Sequence, residues 1–156
     1  MLQAGCSAIV KGLDPVADAF AGTVSSDVIN CEGLESVEFI IYKGVGTTGT
    51  STVTVEACDD VTPTTTAAIA FDYQAITSGD THGALTAATT AGFTTTAGSS
   101  QLYRIYVNTD RLAGSNEYGF VRLKMVESVD AAVEGCIFVI GHGLRSKLVV
   151  PDTIIV

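Results

Sequence analysis

The sequence holds no tryptophan, three prolines and two histidines in 156 residues, and charged residues make up only 16% of it. Each scarcity excludes something. Without tryptophan, a carbohydrate site would lack the common stacking platform for a sugar ring. His82 and His142 lie sixty residues apart in the chain, and no G-x-S-x-G elbow is present to place a nucleophile. Cys6, Cys31, Cys58 and Cys136 are scattered, with no C-x-x-C pair to seed a zinc site. Cys58 and Cys136 fall in apolar strand-like runs and are expected to be buried thiols. No apolar run approaches the roughly 18 residues that a membrane span requires. Eight basic residues stand against seventeen acidic ones, for a net charge of -9. Residues 1–80 carry all of that imbalance, with eleven acids against Lys11 and Lys43. An acidic half of this kind argues against nucleic acid, whose binders need a clustered basic footprint.

What the chain has in abundance is apolar surface. Hydrophobic residues make up 47% of it and the mean hydropathy is +0.39. One domain of this length buries a real core, yet a lone monomer would struggle to hide so much apolar area. The surplus is expected to face other protein subunits. Five residues ahead of Cys6 are too few for a secretory signal, so the chain is expected to be unprocessed and folded in a cytoplasm.

Gly44-Val45-Gly46-Thr47-Thr48-Gly49 is a literal G-x-G-x-x-G after a predicted strand. A dinucleotide site needs that loop to open a helix, whose N-terminus holds the pyrophosphate. The sequence continues instead as Ser51-Thr-Val-Thr-Val-Glu-Ala57, in which Val53, Val55 and Ala57 alternate with Thr52, Thr54 and Glu56. That period of two marks a strand with one buried face. The glycines are therefore expected to turn a hairpin at one end of the domain, facing a neighbouring protein or solvent. Adjacent Asp59 and Asp60 suggest calcium, but the D-x-D-x-D-G spacing and the glutamate at the twelfth position are missing.

The same alternation recurs. Val37, Phe39 and Ile41 share one face of a strand; Tyr103, Ile105 and Val107 share another; Val121, Leu123 and Met125 a third. The 78–98 stretch reads as a contact loop or a pair of short strands anchored by Leu85 and Phe93. About eight strands with almost no helix predict an all-β antiparallel two-sheet sandwich, most naturally a jelly roll with extended terminal arms. The expected organisation is an arm over 1–22, the sandwich over 23–143, and a tail or edge strand over 144–156. Tyr118 and Phe120 lie beside Arg122 and Lys124, a mixture enriched in protein interfaces. Arg145 and Lys147 repeat the i, i+2 basic spacing, which puts both side chains on one face of a strand. Such basic pairs either solvate a face or dock on an acidic protein surface. The run from Val133 to His142 is apolar on both faces, placing Phe138 and Ile140 mid-sandwich or between subunits. Tyr118, Phe120, Arg122, Lys124, Phe138, Ile140, Arg145 and Lys147 are thus the interface candidates. No catalytic residue, cofactor-binding residue or metal ligand is expected.

The run Val28 to Asp60, with Gly33-Leu-Glu-Ser-Val-Glu-Phe39, the glycine loop and Thr52-Val-Thr-Val-Glu-Ala-Cys-Asp-Asp60, resembles small virion proteins of tailed bacteriophages. Tyr103-Arg-Ile-Tyr106 and the apolar Gly135 to Ile140 extend the likeness over residues 28–141. The resemblance implies a non-enzymatic jelly-roll structural protein. In that family such a protein decorates or cements the head exterior as a homotrimer, bound to the major capsid protein, after synthesis in the host cytoplasm. The arm and the tail after Arg145 depart from the pattern. A receptor- or carbohydrate-binding module using the 78–98 loop is the alternative.

Overall fold

The computed structural model describes residues 7–112, 118–143 and 153–154 of the chain. Alternation builds both sheets of an all-antiparallel sandwich. The six-stranded sheet runs, in spatial order, β1 (Ser7–Val16), β12 (Gly135–Gly143), β4 (Leu34–Lys43), β10 (Gln101–Asn108), β7 (Phe71–Ile76) and β8 (Thr86–Ala88). The seven-stranded sheet runs β13 (Thr153–Ile154), β3 (Val28–Asn30), β11 (Phe120–Val129), β5 (Thr50–Cys58) and β6 (Thr66–Ile69). Two further strands complete it, with β2 (Thr23–Ser25) pairing β11 and β9 (Phe93–Thr94) pairing β5. A 3-10 turn, Thr109–Leu112, follows β10. Among the described residues no helix is long and apolar enough to cross a membrane.

The inward faces are those the period of two marks. Val37, Phe39 and Ile41 of β4 pair with Val107, Ile105 and Tyr103 of β10, and Ile137 and Val139 of β12 close the layer. Opposite them, Val53, Val55 and Ala57 of β5 pair with Met125, Leu123 and Val121 of β11. All of these side chains are buried, so both layers share one core. Phe93 stacks on Tyr73 with ring centroids 3.9 Å apart, which pins the second half of the 78–98 stretch to the sandwich. The residues around it form β8 and β9, the pair of short strands that the sequence offered as one reading.

Three segments differ from the sequence expectation. Residues 7–16 are not an arm extending from the sandwich but the edge strand β1, with Ile9 opposite Ile140 and Lys11 opposite Phe138. Two register irregularities, between Lys11 and Leu13 and between Leu13 and Val16, displace its alternation. Such bulges hide a strand from any test for a clean period. The strands number thirteen among the described residues rather than about eight, because several are only two to four residues long and too short to show a period. The third correction is the glycine loop. It is not a hairpin, since β4 belongs to one sheet and β5 to the other, so residues 44–49 carry the chain across the sandwich.

The glycines of that loop serve close packing. A Cβ at Gly49 would sit 2.4 Å from Val133 Cγ2 and 2.8 Å from the Ala131 carbonyl oxygen. Gly44 N–H donates to the Glu134 carbonyl at 2.7 Å, and Glu134 N–H returns a bond to the Val45 carbonyl at 2.9 Å. The loop therefore leans on its own chain, and only Val45, Thr47 and Thr48 are exposed.

Candidate functional site

The outward residues of the six-stranded sheet form three rows across it. Ile9, Ile140, Glu38, Tyr106 and Asp72 make the first; Lys11, Phe138, Ile40, Arg104 and Gln74 the second; Cys136, Tyr42, Leu102 and Ile76 the third. Within this surface Ile9 is 68% exposed, Tyr42 44% and Phe138 41%, while Ile40, Ile140 and Leu102 are half-buried between them. Glu38 lies at its centre with 3% of its surface exposed. An isolated carboxylate there would be costly, and the neighbouring strands answer it. Arg104 Nε of β10 donates to Glu38 Oε1 at 2.5 Å, and His142 Nε2 of β12 lies 3.6 Å from Oε2. The Arg104 guanidinium also lies 5.1 Å from the Tyr106 ring centroid. The central carboxylate of this face is thus paired within the fold, the flanking Lys11 and Asp72 are paired with Asp14 and Arg111, and the side chains between them are largely apolar.

At the β7 side this face dips into an open depression of about 700 Å³. Its floor is Ile40, Tyr42, Leu102 and Arg104, and one wall is the 77–82 segment with Asp80 and His82. His82 Nδ1 pairs with Gln74 Oε1 at 3.2 Å. Ser100, on the opposite rim, has φ of 55°, the one positive value on a residue other than glycine among the described residues.

The outer face of the seven-stranded sheet is built differently. Glu56 of β5 accepts from Arg122 Nε at 2.8 Å and from Lys124 Nζ at 3.0 Å, both on β11. Burial opposes ionisation of the Glu56 carboxyl, but the hydrogen bonds and charges of Arg122 and Lys124 outweigh it and hold the group below its usual range. Around this triad the surface is hydroxylic. Thr52 Oγ1 sits 3.3 Å from Thr94 Oγ1 and 2.9 Å from Ser128 Oγ.

A third polar centre lies inside. Lys43 continues the inward phase of Val37, Phe39 and Ile41, and its side chain is drawn beneath the glycine loop with 1% exposed. Among the described residues no carboxylate meets it. Its ammonium donates to the carbonyls of Gly49 at 3.0 Å and Thr96 at 2.7 Å and to Gln101 Oε1 at 3.3 Å, the full complement of its three donors. Burial lowers its pKa. The Tyr103 hydroxyl donates to the same Gln101 oxygen at 2.9 Å and accepts from Thr96 N–H at 2.9 Å. These bonds tie the sheet-to-sheet loop to the 95–101 loop.

The sequence-derived candidates do not converge on one surface. Phe138 and Ile140 lie on the outer face of the six-stranded sheet, while Arg122 and Lys124 lie on the opposite side of the sandwich. Phe120 is half-buried, and Tyr118 packs against the core instead of joining the outer face with Phe120. Arg145 and Lys147 lie outside the described residues. Sequence reasoning missed Glu38, Arg104 and Lys43. Extending the Val37-Phe39-Ile41 phase by two residues would have found Lys43.

Other chemistry is accounted for locally. Asp59 accepts from Thr64 Oγ1 at 2.7 Å and from the N–H groups of Thr64 and Thr65 at 3.1 Å, closing the turn after β5 with the carboxylate that suggested calcium. Among the described residues no group of three or more His, Cys, Asp or Glu side chains could hold a metal ion. Cys31, Cys58 and Cys136 are free and buried. Burial pushes the Cys31 thiol up to about 12 and the Cys58 thiol up to about 11, so neither is a thiolate at neutral pH. No family model matches the sequence, no curated protein matches it, and no solved structure matches its fold.

Proposed function

We propose that this chain is a non-enzymatic structural protein of a bacteriophage virion. In this reading it is a jelly-roll decoration or cement protein that self-associates as a trimer and binds the major capsid protein on the head exterior. The observation that carries the reading is the outer face of the six-stranded sheet. Ile9 and Phe138 are exposed there around a carboxylate that Arg104 already pairs with, and His142 Nε2 lies 3.6 Å from its other oxygen. An apolar face without unpaired charge at its centre suits burial against protein, because docking strands no ion. The resemblance of residues 28–141 to small virion proteins supplies the kind of partner. The basic pair Arg122 and Lys124, spent on Glu56, plays no part in it.

The deciding experiment is native mass measurement of the purified chain, followed by co-sedimentation with empty heads of the phage that encodes it. A trimer retained on heads supports the reading. A monomer at concentrations of about 10 μM, above the range of a micromolar self-association, that stays in the supernatant ends it.

A further inference from the structure

We infer that the depression on the outer face of the six-stranded sheet is a binding site for a neutral saccharide ring. The inference does not rest on the assembly reading. The depression, about 700 Å³, falls in the size range of small-ligand sites, which pair an apolar floor with a few polar groups that fix orientation. Ile40 and Leu102 supply that floor, and Tyr42 offers a ring that is 44% exposed.

The polar groups are of two complementary kinds. Arg104 gives only its Nε to Glu38, and its two terminal nitrogens have no hydrogen-bond partner among the described residues. They can only donate. The Asp80 carboxylate likewise has no partner among the described residues and can only accept. His82 is steadied by Gln74 through Nδ1, which leaves Nε2 for a ligand. A ligand that satisfies a donor-only cation and an acceptor-only anion together carries groups that both donate and accept. Adjacent hydroxyls on a ring with an apolar CH face meet that description.

Two other occupants fit less well. An extended peptide usually gains its affinity by pairing its backbone with a sheet edge. The floor here is β4, β10 and β7, each hydrogen-bonded to a neighbour on both sides, so no edge is open. An anion would be drawn to Arg104 but repelled by Asp80 and by a chain of net charge -9. The left-handed backbone at Ser100, fixed by its N–H to the Gly44 carbonyl at 2.8 Å, sets the rim in place before any ligand arrives.

The test is a titration of the intact, nitrogen-15-labelled chain with glucose, galactose, N-acetylglucosamine and their β-linked disaccharides, read by amide shifts. Shifts at Tyr42, Asp80, Ser100 and Leu102, saturating with a Kd of roughly 1 mM, are the expected result for a single ring. Asp80→Ala and Tyr42→Ala, both at exposed positions, should each weaken binding on the order of tenfold. The inference is overturned if no sugar moves these amides, or if both variants titrate like the parent. It is equally overturned if only glucuronate or inorganic phosphate produces the shifts, which would mark an anion site on Arg104. A monomer that binds sugar would remove the assembly reading and leave this one standing, and a trimer that binds none would do the reverse.

Discussion

Each outer face of the sandwich buries one glutamate between basic neighbours, Glu38 with Arg104 and His142 on one side, Glu56 with Arg122 and Lys124 on the other. What surrounds the two charges differs. Glu56 sits on a face of hydroxyl side chains, where Thr52 bonds to Thr94 and to Ser128, a surface at ease in solvent. Glu38 sits among Ile9, Ile40, Phe138 and Ile140, a surface that gains by being covered. The lesson is that ionic pairs hold strands together on both faces, while the apolar setting alone distinguishes the face with something left to bind.

The most drastic way to break the comparison is to separate the sheets. The turn between β8 and β9 carries the chain from one sheet to the other, and Gly92 in it has φ of 73° with a would-be Cβ 1.9 Å from the Val53 carbonyl oxygen. Gly92→Ala cannot be accommodated without moving β5. The expected cost is above about 4 kcal/mol, most of the stability of a domain at the low end of the usual range of about 5–15 kcal/mol. Far-ultraviolet circular dichroism and yield of soluble protein read it out, and a native-like melt for the variant would contradict the packing described.

Next in size are the two glutamates. Glu38→Ala strands Arg104, and Glu56→Ala strands two cations side by side. Each should cost about 2–3 kcal/mol, less than a fully buried pair because the basic side chains reach water. Urea unfolding of both variants measures this. Similar losses sustain the view that the two ion clusters do the same structural job, whereas a neutral Glu38→Ala would mean that the charge on the apolar face serves something other than the fold.

A matched pair of surface changes then separates stability from association. Phe138 and Val126 are 41% and 40% exposed on opposite faces. Phe138→Ser should weaken self-association or head binding at least about tenfold while costing under about 1 kcal/mol in stability. Val126→Ser should leave association unchanged. Sedimentation of the two variants against the parent decides it, and the reverse ranking would move the interface to the threonine face.

Much of this was legible in the sequence because period-two alternation is a direct consequence of a half-buried strand. Val37-Phe39-Ile41, Tyr103-Ile105-Val107 and Val121-Leu123-Met125 all face the core, and the sandwich class follows from them. The bulges in β1 hid a strand, and strands as short as Phe93–Thr94 carry no period to detect. The glycine loop misled for a different reason. Strand, glycines, strand is the pattern of a hairpin, and equally of a chain leaving one sheet for the other; the choice depends on Val133, 84 residues further along the chain and packed on Gly49. The site was legible only in part. Phe138 and Ile140 could be named from an apolar run, but Arg122 and Lys124 looked available because their partner Glu56 lies on a strand that sequence spacing does not connect to them.

The smallest effect concerns acid. The Glu56 carboxyl is held below its ordinary value of 4.5 when folded, as the hydrogen bonds and charges of Arg122 and Lys124 outweigh burial. The folded state therefore binds this proton less readily than the unfolded chain. Its contribution to stability is complete above pH about 4.5 and fades as pH falls through the lower folded value. Asp59, held low by Thr64 and Thr65, titrates with the same sign, so the measurement uses an Asp59→Asn background to remove it. In that background Glu56→Gln should flatten the acid limb between about pH 5 and pH 3 by at most about 1 kcal/mol. Stability measured by urea at a series of pH values gives the slope directly. An acid limb as steep in Glu56→Gln as in the background protein would show that the threonine face does not owe its settled state to this cluster.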